Sequence, residues 1–369
     1  MLFRSLPGVD DDVINSRLLG RQVNAIEWMI PLQAHIMLTD SSEWTVEPSV
    51  NGLFTPNSFR NKQQTYYGSS GLVEPVIVGE SAIFTLRFGS SVRSMSYDDV
   101  NGKTGTDLSI MASHLFEDRS IIDCTYQQHP NSIVWFVLSD GALLSFTHHK
   151  EHDVWAWARH KTDGLYESIC CIPGDTQDDV YTIVNRTING VVKRFTEVMA
   201  TRNVNNFFGV DCGATREGSP SITVSGLDHL EGKTVEIVAD GILVKGKVVT
   251  GGSVTLNNPA SLVHVGLPYT WRLKTLQVDA SSKNVGYSAD KKKLIQGATI
   301  SVINSAGGQA GQDQFVNLNY PIGTKGLYSG DLDVNLLARW ERDGKFEING
   351  TGTLPMHIIN IMPRVSIGG

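Results

Sequence analysis

At 369 residues the chain is long enough for two or three domains, each with its own hydrophobic core. A hydrophobic fraction of 41% and seven tryptophans exclude a long disordered protein, and a net charge of −7 argues against an overall nucleic-acid-binding surface. No window reaches the roughly 18 apolar residues a membrane helix needs, and the acidic run Asp10, Asp11, Asp12 stands where a secretion signal would carry its apolar core.

The N-terminal stretch DDDVINSRLLG predicts a short helix capped by Asp10 or Asp11. From Gln22 to about Met199 a single unit then recurs four times. Each copy carries an apolar strand, a short turn and a second strand: HIMLTDSSEWTVEP, AIFTLRFGSSVRSMSYD, IVWFVLSDGALLSFTHH and VYTIVNRTINGVVKRFTEV. The turn centres, near Ser41, Ser90, Asp140 and Asn189, are spaced by 49, 50 and 49 residues. A further apolar segment precedes each hairpin (NAIEWM, VEPVIV, IIDCTY, YESICCI). A period of roughly forty to fifty residues with several strands per unit predicts β-propeller blades. The turns use Asp, Ser, Gly and Asn, which tolerate the positive φ of tight hairpins. In the third repeat, the turn HHKEHD leads to VWAWARH, where Trp155, Trp157 and Arg159 alternate with small residues at period two.

After Met199 the composition shifts. Residues 200–218, rich in Gly, Asn and Ser, predict a connection. The short strands SITVSGL, KTVEIVAD, ILVKGKVV, SVTLNN and LVHVGLPYTWRLKTL follow at about ten-residue spacing, predicting a small closed β-barrel or sandwich over residues 219–277. Residues 278–369 predict a third, C-terminal β layer. The expected fold class is therefore all-β: four propeller-like blades over 1–199, of a complete or incomplete propeller, then barrel and layer.

Several stretches carry a resemblance to a known family: QVNAIEWM, SFRNKQQTYYGSSGLVEPVIVGESAIF, VWAWARHKTDGLYESICCIPG, VNRTINGVVKRFTEVM, GLDHLEGKTVEIVADG and LPMHIINIMP. Together they extend from Gln22 to Pro363, and the chain resembles the tail nozzle, or packaged-DNA stabilisation, proteins of short-tailed bacteriophages and prophages. The resemblance implies a ring-forming structural protein of the virion tail, assembled in the bacterial host cytoplasm. Its implied partners are further copies of itself, portal or adaptor proteins, tail-fibre or tail-spike proteins, and duplex DNA that passes without tight binding. The chain departs from the family in one respect. Members carry a long region ahead of the position of Gln22, whereas Met1 here stands almost directly before the first repeat. That departure raises the expectation of a shortened product and bears on propeller closure and ring formation. The segment from Gly226 to Tyr269 is also similar to the small barrel called the first catalytic cysteine half-domain in ubiquitin-activating enzymes. The nearest cysteine, Cys212, precedes that barrel, so no ubiquitin chemistry is carried over.

His148, His149, His152 and His160, with Glu151 and Asp153 among them, are the best metal-site candidates, set against the ordinary polarity of an exposed strand connection. Asp10, Asp11 and Asp12 lack the spacing of a calcium loop. Lys291, Lys292 and Lys293 form a basic cluster that reads as a contact for nucleic acid or a partner's acidic rim or, more ordinarily, as a solvated strand flank. Trp135, Trp155 and Trp157 offer a sugar-stacking platform or, more ordinarily, blade packing. Cys124, Cys170, Cys171 and Cys212 read as buried free thiols, with Cys170 and Cys171 pointing to opposite faces. The sequons at Asn185 and Asn349 carry no meaning without a secretion signal. No phosphate loop or nucleophile elbow is present. The expectation is a non-enzyme with no catalytic, cofactor or metal residues. The competing class is a carbohydrate-binding or glycan-cleaving propeller protein.

Overall fold

The computed structural model describes residues 14, 16–18, 20, 25–32, 34–48, 54–56, 58–98, 102–201, 207–279, 290–321 and 326–368. The N-terminal helix expected at DDDVINSRLLG lies largely outside them, and the few described residues of that stretch have no regular structure. The chain is all-β, with three short 3-10 turns among the described residues. It divides into two compact units. One runs to Met199 and the other from Ala200, with the turn Ile188–Gly190 counted in the second.

The first unit is four consecutive antiparallel meanders. β1 (Ile26–Pro31), β2 (His35–Thr39), β3 (Glu43–Pro48) and β4 (Phe59–Thr65) form sheet I. β5 (Val76–Val78), β6 (Ser81–Thr85), β7 (Val92–Asp98) and β8 (Gly102–Asp107) form sheet II. Sheet III comprises β9 (Ile121–Gln127), β10 (Ile133–Leu138), β11 (Leu143–His149) and β12 (Val154–His160). Sheet IV has three strands, β13 (Leu165–Pro173), β14 (Asp178–Ile188) and β15 (Val191–Val198). The four expected turn centres each fall in the hairpin between the second and third strands of one sheet.

Burial on both faces explains why β10, and Ala82 to Phe84 of β6, read as unbroken apolar runs rather than alternating ones. On one face of β10, Val134, Phe136 and Leu138 join Ile83, Val92 and Phe116 in a single core. On its other face, Ile133, Trp135 and Val137 pack with Ile169 and Val180 of sheet IV. Sheet II likewise turns Ala82, Phe84 and Met95 toward Ile36 and Leu38 of sheet I. The sheets therefore stack in chain order, I on II on III on IV. Each large side chain buried this way contributes about 1.5–3 kcal/mol.

A backbone bond recurs at each step of the stack. The chain leading into the next sheet donates an N–H to a carbonyl at or beside the preceding hairpin tip: Ser69 to Thr39 (2.8 Å), Ile121 to Gly89 (2.9 Å) and Tyr166 to Gly141 (2.9 Å). Gly141 has φ +76°, and a Cβ there would lie 2.6 Å from the Leu165 side chain, so this latch admits only glycine.

In the second unit, β16 (Asp211–Ser225), β17 (Thr234–Ala239), β18 (Ile242–Val248) and β19 (Ser253–Leu267) pair in the order β16-β19-β17-β18. The sequence predicts a closed barrel. Among the described residues the ladder is open, with β16 and β18 at its edges. It nonetheless wraps its own core, because Val254 and Val265, near opposite ends of β19, share one buried cluster. Pro220 and Pro259 remove ladder donors where the β16–β19 register shifts, between Glu217 and Thr223. β16 also begins inside the stretch 200–218 that reads as a connection.

Seven further strands complete the unit: β20 (Thr270–Lys274), β21 (Lys293–Ser305), β22 (Gln309–Gly311), β23 (Phe315–Asn317), β24 (Tyr328–Asn335), β25 (Glu347–Thr351) and β26 (His357–Ile367). They make two sheets, β20-β25-β22-β23 and β24-β21-β26, over one core that includes Ile300, Leu332, Phe346 and Ile348. Thr270–Lys274, grouped by sequence with the barrel strands, instead pairs with β25.

Candidate functional site

The hairpin tips define one end of the stacked sheets, and the strand registers show which other segments share it. β4 ends at Thr65 opposite Glu43, the first residue after the sheet I tip. β8 ends at Asp107 opposite Arg93, just past the sheet II tip. The segments that follow these strands therefore emerge at the tip end. There the chain exposes large apolar side chains: Met111 at 92%, Leu72 at 91%, Phe88 at 82%, Tyr66 at 72% and Ile110 at 68%. Five such residues at one end of two adjacent sheets is the kind of surface that marks an interaction site. Their loops are held in place. The Arg93 guanidinium lies 3.6 Å from the centre of the Tyr67 ring, and Ser109 fixes the start of the 110–115 turn through Asp107. At sheet III the same end changes character. Asp140 pairs there with Arg119 (2.5 Å) and Arg159 (3.4 Å).

The residues singled out by sequence are dispersed. Leu143 opposes His160 while His148 and His149 oppose Trp155 and Val154, so His160 stands at the far end of the β11–β12 ladder from the other histidines. His148 is buried beside the Trp155 ring, and His160 shares a 2.8 Å hydrogen bond with Ser145. Asp153 adopts φ +51° in the tight turn before β12. Among the described residues no group of three or more His, Cys, Asp or Glu side chains is placed to hold a metal.

The tryptophans form no common platform. Trp135 is buried on the side of β10 facing sheet IV, its indole N–H donating to Gln127 (3.2 Å). Trp157 packs against the opposite core between Phe116, Phe136 and Phe146 and donates to the Leu108 carbonyl (2.8 Å). Of these three, Trp155 is the exposed one.

The basic cluster is also divided, since Lys293 is fully buried and its ammonium donates to the carbonyl of Arg342 at 2.9 Å. Lys291 is half-buried and Lys292 exposed. The cysteines correct the expectation of buried thiols: none of the four forms a disulfide, Cys170 is exposed and the others are half-buried. Cys170 and Cys171 do point to opposite faces, with Cys171 packed on the core between sheets III and IV. The Cys124 thiol donates to the Glu74 carbonyl (3.1 Å), and burial, with Asp123 and Glu74 nearby, pushes its pKa up to about 12.

Sequence reasoning missed the apolar tip end. Its signal was present in retrospect as single large apolar residues inside turn-rich words, YYGSSGL, RFGSS and SIMASH. Strand periodicity does not score such positions. No family model matches the chain, and no curated protein matches it.

Proposed function

We propose that this chain is a non-enzymatic structural component of a short-tailed bacteriophage tail, with its four stacked sheets acting as propeller-like blades. In this reading several copies surround the DNA exit channel, and neighbouring tail proteins (portal or adaptor on one side, fibre or spike on the other) dock on the rims. The observation that carries it is the tip end, where sheets latched to one another present Leu72, Phe88, Ile110 and Met111 to solvent. The sequence resemblance set out above supports the same class. The glycan-acting propeller reading needs an aromatic pocket within the blades, and the packing of Trp135 and Trp157 against two different cores weighs against it. Duplex DNA would pass without tight phosphate contacts, in keeping with the net charge of −7 and the buried Lys293.

The test is antibody labelling of phage particles produced with the native chain or with a Leu72→Asp, Met111→Asp double variant. Label on the tail is expected for the native chain, with loss of label for the variant although its circular dichroism is unchanged. Particles that never carry the native chain would sink the assignment.

A further inference from the structure

Sheets I, II and III each have four strands, whereas sheet IV has three. In the first three sheets a fourth strand covers the outer side of the third. In sheet IV the third strand, β15, is the edge itself, so no strand among the described residues takes up its outward N–H and C=O groups. Six of its eight residues are exposed, while five of the seven in β11, the third strand of sheet III, are buried. Val191–Val198 contains neither proline nor glycine, so every residue of the edge can take part in a further ladder.

The side chains decide what can pair there. Glu197 binds Arg186 (2.6 Å), which lies on the same face of β14 as Val180 in the core shared with sheet III. Residues two apart on a strand share a face, so Lys193 and Phe195 join Glu197 on that side. Val192, Arg194, Thr196 and Val198 lie on the other. The segment Val192–Val198 is complementary to its own reverse. When two copies pair antiparallel with Phe195 opposite Phe195, Val192 meets Val198, Lys193 meets Glu197 and Arg194 meets Thr196. Each pair joins residues on one side of the sheet. Apolar, aromatic and opposite-charge pairs are the cross-strand combinations that stabilise a ladder, by roughly 0.2–1 kcal/mol each.

The register is selective. A shift of two residues one way sets Arg194 opposite Arg194, and the other way sets Phe195 opposite Glu197 with Lys193 beyond the end of the strand. Lysine and arginine on an edge turn away an arbitrary strand. A second copy answers Lys193 with its own Glu197. We propose that β15 pairs antiparallel with β15 of a second copy about a twofold axis at Phe195. Each sheet IV then gains its fourth strand, and two sheets of three become one of six. The contact closes on itself, makes no use of the apolar tip end, and stands apart from the tail assignment.

The experiment is sedimentation equilibrium of the full chain at about 1–200 µM, with hydrogen exchange of the β15 amides followed at both ends of that range. A monomer–dimer equilibrium is expected, with a Kd of about 10 µM because a single strand pair is smaller than a standard interface. Exchange in β15 should slow as the dimer forms. Lys193→Glu sets carboxylates against each other on both sides of the axis and should weaken the dimer about tenfold. Lys193 is exposed, so circular dichroism should not change. Thr196→Glu places a carboxylate opposite Arg194 and should tighten the dimer about threefold, a gain that misfolding does not produce. The Leu72→Asp, Met111→Asp double variant should dimerise as the native chain does, which separates this contact from the tail reading. A chain that stays monomeric throughout would overturn the proposal. So would association indifferent to Lys193→Glu and Thr196→Glu, or association that leaves β15 exchange unslowed.

Discussion

The first unit pairs each strand with its neighbour in sequence, whereas the second draws partners from far along the chain. In sheet III, β9, β10, β11 and β12 are simply consecutive. In the second unit Trp271 of β20 faces Gly350 of β25, and Lys293 of β21 faces Ile367 of β26. Local pairing makes a sheet answer to its own hairpins, with a core shared only with the sheets before and after it. Distant pairing makes the second unit answer to its least local contacts, which close late and depend on one another.

Two buried cations bring the contrast to a point, and substituting them breaks or sharpens it. In the first unit, Arg186 holds Glu197 through paired bonds of 2.6 and 2.7 Å and also donates to the Asp163 carbonyl (2.9 Å). The Arg186 side chain is only 1% exposed and Glu197 is 24% exposed, so Arg186→Ala leaves a partly buried carboxylate without its charge partner. The expected loss is about 3 kcal/mol of stability, the largest predicted here. Urea unfolding followed by fragment-resolved hydrogen exchange should place that loss in sheet IV and the adjoining core. An equal loss of protection in β21 to β26 would show that the two units are not energetically separate.

Lys293 in the second unit is buried with its ammonium bonded to backbone carbonyls, Arg342 at 2.9 Å and Lys291 at 3.4 Å. Its stem packs over Gly344, where a Cβ would lie 2.9 Å from Lys293 Cδ. Lys293→Met keeps most of the stem and removes the charge, leaving the carbonyls to find other donors. The expected loss is about 1–2 kcal/mol, smaller than for Arg186→Ala. Reversal of that order in urea melts would mean that burial itself, rather than the loss of a charge partner, sets the penalty.

At neutral pH the thiols add no pH dependence, and their effect has a defined pH window. Burial, with Asp123 and Glu74 nearby, raises the Cys124 pKa from 9.0 to about 12, and burial with nearby Asp178 raises Cys171 to about 11. The unfolded chain therefore releases these protons first. The thiols' contribution to stability is full below pH 9 and is lost as pH rises from there toward 12. At pH 8, iodoacetamide should label exposed Cys170 before Cys171, and Cys124 last. Fast labelling of Cys124 would contradict its place beside the Glu74 carbonyl.

The same contrast explains what was legible in the sequence. Sheets I to IV follow from the spacing of Ser41, Ser90, Asp140 and Asn189 because both partners of each hairpin lie within one word of sequence. The barrel expectation overshot. Short strands at ten-residue spacing read as a closed ring, yet Ser253–Leu267 is one long strand whose register shifts around Pro259, and its ladder stays open among the described residues. The alignment of Arg272, Asn349, Gln309 and Asn317 was invisible because no local pattern announces that residues on four separated strands will share a face. The Lys291–Lys293 cluster misled for a related reason. Charge alone does not reveal that the backbone of Glu341 pairs with Lys293 and draws its side chain inward.

The latch between each hairpin tip and the start of the next sheet also divides the molecule for an engineer. The tips near Thr39, Gly89 and Gly141 are backbone acceptors for the following segment, so an inserted peptide there would unhook two sheets at once. Hairpin tips are normally the safest places for a tag or fluorescent label. Here the safer sites are the opposite turns, such as Gly79–Glu80 between β5 and β6, where a Cβ added at Gly79 meets nothing within 4 Å.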